Sequence, residues 1–536
     1  MRMRGLAVTA TVFALLLLAA CGGGGGGASS VSAYVFPSQP ASSFPITHVS
    51  FASPFSAACN GTTGGTLYVN AEVEPRIAAD PTNPLHLIGV WQQDRWSSGG
   101  SRGVLAAVSL DGGKTWQASQ RQAPFTPCEG GNAANGGTDE RASDPWISFA
   151  PDGTAYQIVL SLTGELLKPG SSGAMLVSRS TDGGQTWSDP VTLIRDSDGA
   201  NFFNDKDALT ADPTNAHYVY AVWDRLSASG GGPAYFARTT DGGATWEAAR
   251  AIYDPGPNNQ TVGNQIVVLA DGTLLNLLTE VDNATSSQAT AFFAVMRSGD
   301  HGATWSAPIK IADDLSVGVD DPETGKLVRD AGDLAEIALS PSDGSLTVVW
   351  EDARFTNGQR NGIAFSRSTD GGLTWSAPAQ VNGDSGVSAF IPTVSVLANG
   401  TVGVTYYDFR DNTPDPASLP TDVWLASSAD GKTWHEEKIL GPFDLDAAPY
   451  AEGLFVGDYE GLVGVGGIFV PLLVQANHAD IANPTDVFAL QVNPATMSAR
   501  SARLALPAAE WEMTPEFAER VQQHQIQLRR WRENGR

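Results

Sequence analysis

Positive charge is scarce in this chain. Only 32 of its 536 residues are Lys or Arg against 58 Asp or Glu, leaving a formal net charge of −26. A phosphate backbone recruits proteins through Lys and Arg, so this balance excludes a nucleic-acid-binding role. Adhesion to an anionic membrane through a basic patch is excluded for the same reason. Cysteine is also rare. Three residues are too few for a disulfide scaffold, and no Cys/His spacing has the form of a zinc site. Long apolar runs are missing as well: beyond the first twenty residues no segment is apolar enough to span a bilayer. Turn chemistry, by contrast, is plentiful, with 58 Gly and 32 Pro. That is the profile of many short strands joined by tight turns.

The amino terminus reads as an address. Arg2 and Arg4 precede an almost unbroken apolar run, Leu6 to Ala20, too short for a permanent span and suited to the core of a secretory signal. Leu18-Ala19-Ala20-Cys21 resembles a bacterial lipobox. The resemblance implies a signal peptide over 1–20, lipidation of Cys21 and an exported lipoprotein anchored in the cell envelope; an ordinary cleaved signal is the alternative. Residues 21–45 open with six glycines and continue rich in Ser, Ala and Pro, as a flexible tether would. Cys59 and Cys128 remain, and in an exported protein a lone pair is expected to form a disulfide.

One octapeptide recurs six times. Ser180-Thr-Asp182-Gly-Gly-Gln-Thr-Trp187 is typical, and its relatives end at Trp116, Trp246, Trp305, Trp375 and, one residue shorter, Trp434. Successive Trp positions lie 71, 59, 59, 70 and 59 residues apart. The Asp accepts hydrogen bonds from turn amides, the glycines admit positive φ, and the Trp pins the turn to a sheet. Between these turns runs a second repeated unit, two apolar strands around a turn such as Pro151-Asp-Gly-Thr154 or Ala398-Asn-Gly-Thr401, which are hairpin signals. Seven such pairs occur, beginning near Pro75, Trp146, Ala208, Gln265, Glu336, Pro392 and Tyr459. Two strands plus two flanking the box make a four-stranded blade, and radial repetition of blades is a β-propeller. Residues 46–495 are therefore expected to form an all-β propeller, seven blades being preferred over six, with the strand near Thr47 to Phe51 completing the last blade. Residues 496–536 form an extension with a short helix from Pro515, either a docking tail or a peripheral helix packed on the ring.

The repeated octapeptide resembles the Asp box of the sialidase (neuraminidase) superfamily. In a propeller the boxes and the Asp-Gly-Thr turns share one face. The opposite face collects residues before each inner strand and after each second strand, and these are alternating carboxylates and arginines. Asp–Arg pairs tying neighbouring blades account for most of them; the rest can meet a ligand. Asp139, Glu140 and Asp144 offer carboxylates to a calcium ion as an alternative use, and no other cofactor is expected.

The resemblance implies retaining hydrolysis of terminal sialic acids by a Tyr nucleophile, with arginine forks for the sugar carboxylate. Carried onto this chain, the catalytic candidates are Arg76 in Glu74-Pro-Arg-Ile, Asp94 as acid, Tyr459, and Glu280, with Glu452 near Tyr459 in sequence. Tyr406 and Tyr407 are rivals, partnered by Glu280 or Glu351. Arg141, Arg329, Arg354 and Arg410, or Arg225, would supply the remaining arginines. The expectation is a monomeric, lipid-anchored propeller acting on or binding glycans, in its enzymatic form an exo-sialidase. The alternative is a non-catalytic module for a glycan or a cell-envelope protein, or an assembly scaffold.

Overall fold

The computed structural model describes residues 35–36, 42–197, 199–497, 503–504 and 511–534. The expected signal peptide, Cys21 and most of the tether lie outside the described residues. Among the described residues, and apart from the short pair Val319–Asp320 with Leu327–Val328 and the strand Arg503–Leu504, the strands fall into seven antiparallel four-stranded units, here blades I to VII. Their inner strands are Glu72–Asp80, Arg141–Phe149, Phe202–Ala211, Gln260–Val268, Glu336–Leu339, Ala389–Val396 and Gly461–Val465. Each inner strand touches the next, and Glu72–Asp80 touches Gly461–Val465, so the circuit closes. A single bridge between Ser101 and Ala142 links the sheets of blades I and II.

The last blade is completed from the other end of the chain. Ile46–His48 pairs antiparallel with Thr485–Leu490, Thr47 opposite Ala489. Cys59 and Cys128 are disulfide-bonded, 69 residues apart in sequence. The second strands explain the core: Trp91, Trp223 and Trp350 are fully buried between sheets.

Each Asp box holds its turn as its residues dictate. In blade II, Asp182 Oδ1 accepts from Thr186 N at 2.9 Å and Oδ2 from Thr186 Oγ1 at 2.6 Å. Ser180 Oγ accepts from Gly184 N at 2.8 Å, and Gly183 and Gly184 take φ of 73° and 81°. The box packs on the preceding blade, where Gly183 O meets His86 Nε2 at 2.9 Å.

Five inner strands break register at one equivalent point. The residue there has positive φ: Glu74 at 52°, Asp144 at 56°, Lys206 at 46°, Gly263 at 66° and Ile391 at 51°. Pro75, Pro145 and Pro392 follow three of these positions. A bulge drops one ladder bond, which is where a residue without N–H fits, and it re-aims the bulged side chain. The sequence pattern reads these strands as regular, so the bulges are a structural finding.

Among its described residues the extension holds a two-residue strand, Arg503–Leu504, paired with Thr433 and Trp434 of blade VI, and an α-helix, α1, Pro515–Asn534. The helix lies across the face opposite the Asp boxes, packed on loops of blades IV and V. Phe517 is buried against Leu315, Val317 and Ala353, and Gln525 Nε2 donates to Asp314 Oδ2 at 2.8 Å. Arg529 Nη1 reaches Thr285 O at 2.8 Å, and Trp531 Nε1 reaches Glu452 O at 3.2 Å. Among the described residues no helix is long and apolar enough to cross a membrane.

Candidate functional site

The bulges in blades I, II and III turn three charged side chains toward one another at the channel mouth. Lys206 Nζ lies 3.3 Å from Asp144, 3.6 Å from Glu74 and 2.7 Å from Asp458. Asp458 in turn takes both arms of Arg329, at 2.8 and 2.6 Å. Every one of these groups is buried. Burial opposes charge on Lys206, yet Asp144, Asp458 and Glu74 together hold its ammonium well above the ordinary range. For Glu74 burial wins over Lys206, and its carboxyl is pushed up to about 7. Asp144, despite burial, is held below its usual value by Lys206 and the Ser143 hydroxyl.

Arg76 stands beside this cluster. Its guanidinium lies 3.7 Å from the centre of the Trp146 ring and 4.3 Å from that of Tyr459. It pairs with Glu336 across the axis and donates to Glu460 O at 3.3 Å. The adjoining cavity, between Arg76, Trp146, Lys206, Asp207, Glu336 and Tyr459, has a volume of about 20 Å³. Tyr459 donates to Pro145 O at 3.3 Å. Burial, then the charges of Glu74 and Asp144, push its phenol well above the ordinary range. A phenol so placed resists ionisation.

The structure thus brings Arg76, Tyr459 and Arg329 to one region, and sets the other sequence candidates elsewhere. Asp94 is fixed by Arg102 at 3.0 Å, Ser53 Oγ at 2.7 Å and Asn70 N at 2.8 Å, within blade I and its leading loop. Glu280 of blade IV accepts from Tyr253 of blade III at 2.8 Å, between neighbouring blades. Arg141 lies over Trp96 and donates to the carbonyls of Thr63, Gly64 and Gly99. Arg354 is bound to Asp352, and Arg410 to Asp408, Glu436 and the Tyr406 hydroxyl. Arg354 and Arg410 each take a carboxylate two residues away and Asp94 a guanidinium eight residues on, whereas Glu280 and Arg141 are held by segments more distant in sequence.

Three further expectations are corrected. A Tyr–Glu pair exists at Tyr407 and Glu460, 2.8 Å apart, rather than with Glu351 or Glu280. It is buried in the seam between blades VI and VII, where Val474 also bonds the Tyr407 hydroxyl. Neighbouring-blade ties are represented by Arg225–Asp196. However, Arg354, Arg410 and Arg195 pair within their own blades, while Arg76 and Lys206 reach across the axis. The calcium ligands also part company. Asp139 faces Arg195, Glu140 binds Thr62 and Thr63, and Asp144 faces Lys206. Among the described residues no group of three or more His, Cys, Asp or Glu gathers as a cation would need.

Sequence reasoning missed Lys206 as the hub and Trp146 as the platform for Arg76. The available signal was the Pro that follows Glu74 and Asp144.

Residues 233–438 match a family model described as a BNR repeat-like domain. A xyloglucanase of Paenibacillus sp is 28% identical over 241 residues, covering 42% of this chain and 21% of that protein. A sialidase of Micromonospora viridifaciens is 25% identical over 328 residues, covering 56% of this chain and 46% of that protein. The chain thus matches less than half the length of either relative. Among solved structures, an α-L-arabinanase of Penicillium chrysogenum complexed with arabinobiose aligns with a TM-score of 0.44 at 16% identity, over 67% of this chain and 94% of that one.

Proposed function

We propose, from the premise that this chain is a BNR-repeat propeller of the sialidase superfamily, that it binds glycans and does not hydrolyse sialosides. One observation carries this reading: the mouth is filled by its own side chains. Arg76 is committed to Glu336 between two rings, and the adjoining cavity is about 20 Å³. Pockets that take a sugar-sized ligand run to roughly 300–1,000 Å³. A Tyr nucleophile must shed its proton, and burial beside Glu74 and Asp144 opposes that at Tyr459. The named relatives are a xyloglucanase and a sialidase, which supports glycan chemistry without choosing the sugar.

The export reading belongs to the same proposal. Leu18-Ala19-Ala20-Cys21 supports lipidation at Cys21, placing the ring at a membrane of the cell envelope as a monomer that meets glycans or envelope proteins. Labelling of expressing cells with radioactive palmitate should mark the wild type and spare Cys21→Ser.

The functional test pairs two assays. The soluble ring is expected to leave a fluorogenic sialoside uncleaved and to be retained on particular glycans of an array. Turnover of the sialoside that Tyr459→Phe abolishes would replace this reading with the hydrolase. Retention of no glycan would remove it.

A further inference from the structure

A cavity of about 440 Å³ lies away from the mouth cluster, at the seam of blades VI and VII. Two imidazoles line it, each about half exposed. His48 Nε2 is held by Asp486 Oδ1 at 2.8 Å, and His478 Nδ1 by Asp444 Oδ2 at 2.6 Å. Each carboxylate accepts the proton on that nitrogen, so the other ring nitrogen of a neutral imidazole is the acceptor. Asp486 is further fixed by Asn477 Nδ2 at 2.6 Å and Asn483 Nδ2 at 2.9 Å. Phe36 stacks on His478 at 4.6 Å and Phe488 on His48 at 5.1 Å, between ring centroids.

One lining group has no partner. Gln475 is 8% exposed, and its Oε1 makes no hydrogen bond. A buried amide oxygen left unpaired costs about 1–3 kcal/mol, so it marks a place where a donor would be welcome. The lining holds no Lys or Arg, but Asp444, Asp480 and Asp486 all face it. That electrostatic character repels an anionic sugar. Acceptors and donors set among ring faces suit the hydroxyls and C–H faces of an uncharged saccharide.

Resting on the glycan-binding reading above, we propose that this seam pocket is the saccharide site and that it takes neutral rather than sialylated sugars. His478 and Gln475 make the direct contacts, and Asp444 and Asp486 orient the imidazoles.

The test is calorimetric titration of the exported ring with cellotetraose, xyloglucan heptasaccharide, lactose and 3′-sialyllactose. Wild type is expected to bind at least one neutral probe, and lactose at least as tightly as 3′-sialyllactose. Gln475→Leu and His478→Ala should each weaken the neutral probe about tenfold or more, with melting temperatures near wild type. Glycans retained as well by both variants as by wild type would move the site elsewhere while leaving the glycan reading intact. Binding confined to 3′-sialyllactose would overturn the pocket's chemistry. No binding to these probes, together with an empty array, would overturn both. Should a variant lose stability, Gln475→Glu, close in size but charged, serves as the second probe; unchanged neutral-sugar affinity there also overturns the assignment.

Discussion

At the scale of single residues, the repeated turns expose one exception with a measurable consequence. Five Asp boxes place Gly after the Asp, whereas blade IV has His301 at φ 56°. A non-Gly residue there carries strain on the order of 1 kcal/mol. His301 offsets it by stacking on Tyr218 at 4.3 Å and meeting the Tyr220 hydroxyl at 3.0 Å. His301→Ala keeps the strain and loses the stack, so it should destabilise by about 1–2 kcal/mol. His301→Gly loses both and should stay within about 1 kcal/mol of wild type; urea denaturation that ranks the two variants the other way would refute this account. A second residue sets a pH dependence. Asp314, buried beneath α1, has its carboxyl pushed up to about 7, chiefly by burial. Its folded pKa exceeds the unfolded one, so the folded state holds the extra proton between about pH 4 and 7. The stabilisation from that proton is complete at the acid end and lost as pH rises through 7, by a few kcal/mol at roughly 1.4 per pH unit. Asp314→Asn is therefore expected to match wild type near pH 4 and to exceed it at pH 8. Melting curves at pH 4, 6 and 8 with parallel slopes for the two proteins would contradict it.

At the scale of elements, the sequence is legible wherever a residue type has only one use. The Asp-box turns follow from Asp, Gly and Trp at fixed offsets, and the strand pairs from apolar runs between hairpin turns. The helix at Pro515 follows from a stretch without Gly or interior Pro. What sequence does not reveal is where an element goes. The inner-strand bulges depend on backbone register, and α1 carries no sign of which face it covers. The arginine candidates illustrate the same limit. Arg354 and Arg410 sit after second strands just as a ligand arginine would, yet Asp352 and Asp408 two residues away capture them. Local pairing wins because the partner is covalently close and no loop has to be ordered to bring it. For α1, the anchor is Phe517, 1% exposed, against Leu315 and Val317. Truncating a buried Phe costs about 3–5 kcal/mol in a rigid core, but a docked helix can instead release locally. Phe517→Ala should raise amide exchange across 515–534 and in the loop near Asp314, leaving the inner strands protected. Exchange unchanged in α1 would show that its dock does not depend on this ring.

At the scale of the whole molecule, seven similar sheets gain stability only if the ring closes, because each blade buries its face against the next. Closure here depends on a short strand. Ile46–His48 completes blade VII, His48 pairs with Asp486, and Val49 beside it is 3% exposed within the core of blades VI, VII and I. Blade I is separately tied by the Cys59–Cys128 bond, whose 69-residue span is worth about 4 kcal/mol in the chain-entropy treatment. The two devices act on different states and predict different failures. Cys59→Ser with Cys128→Ser raises the entropy of the unfolded chain, so it should lower the melting temperature while leaving a monomeric ring. A chain beginning at residue 52 instead loses native contacts. Burial of Val49 alone contributes about 1.5–3 kcal/mol, and removal of the strand exposes Thr485–Leu490 as an unpaired edge. Such an edge templates pairing between molecules. The shortened chain is therefore expected to show amide exchange rising first at Thr485–Leu490 and to associate with concentration, whereas the serine double variant does neither. Size-exclusion chromatography over a hundredfold concentration range, with exchange measured on the same samples, separates the two. A shortened chain that stays monomeric with Thr485–Leu490 as protected as in wild type would show that blade VII holds its place without the amino-terminal strand.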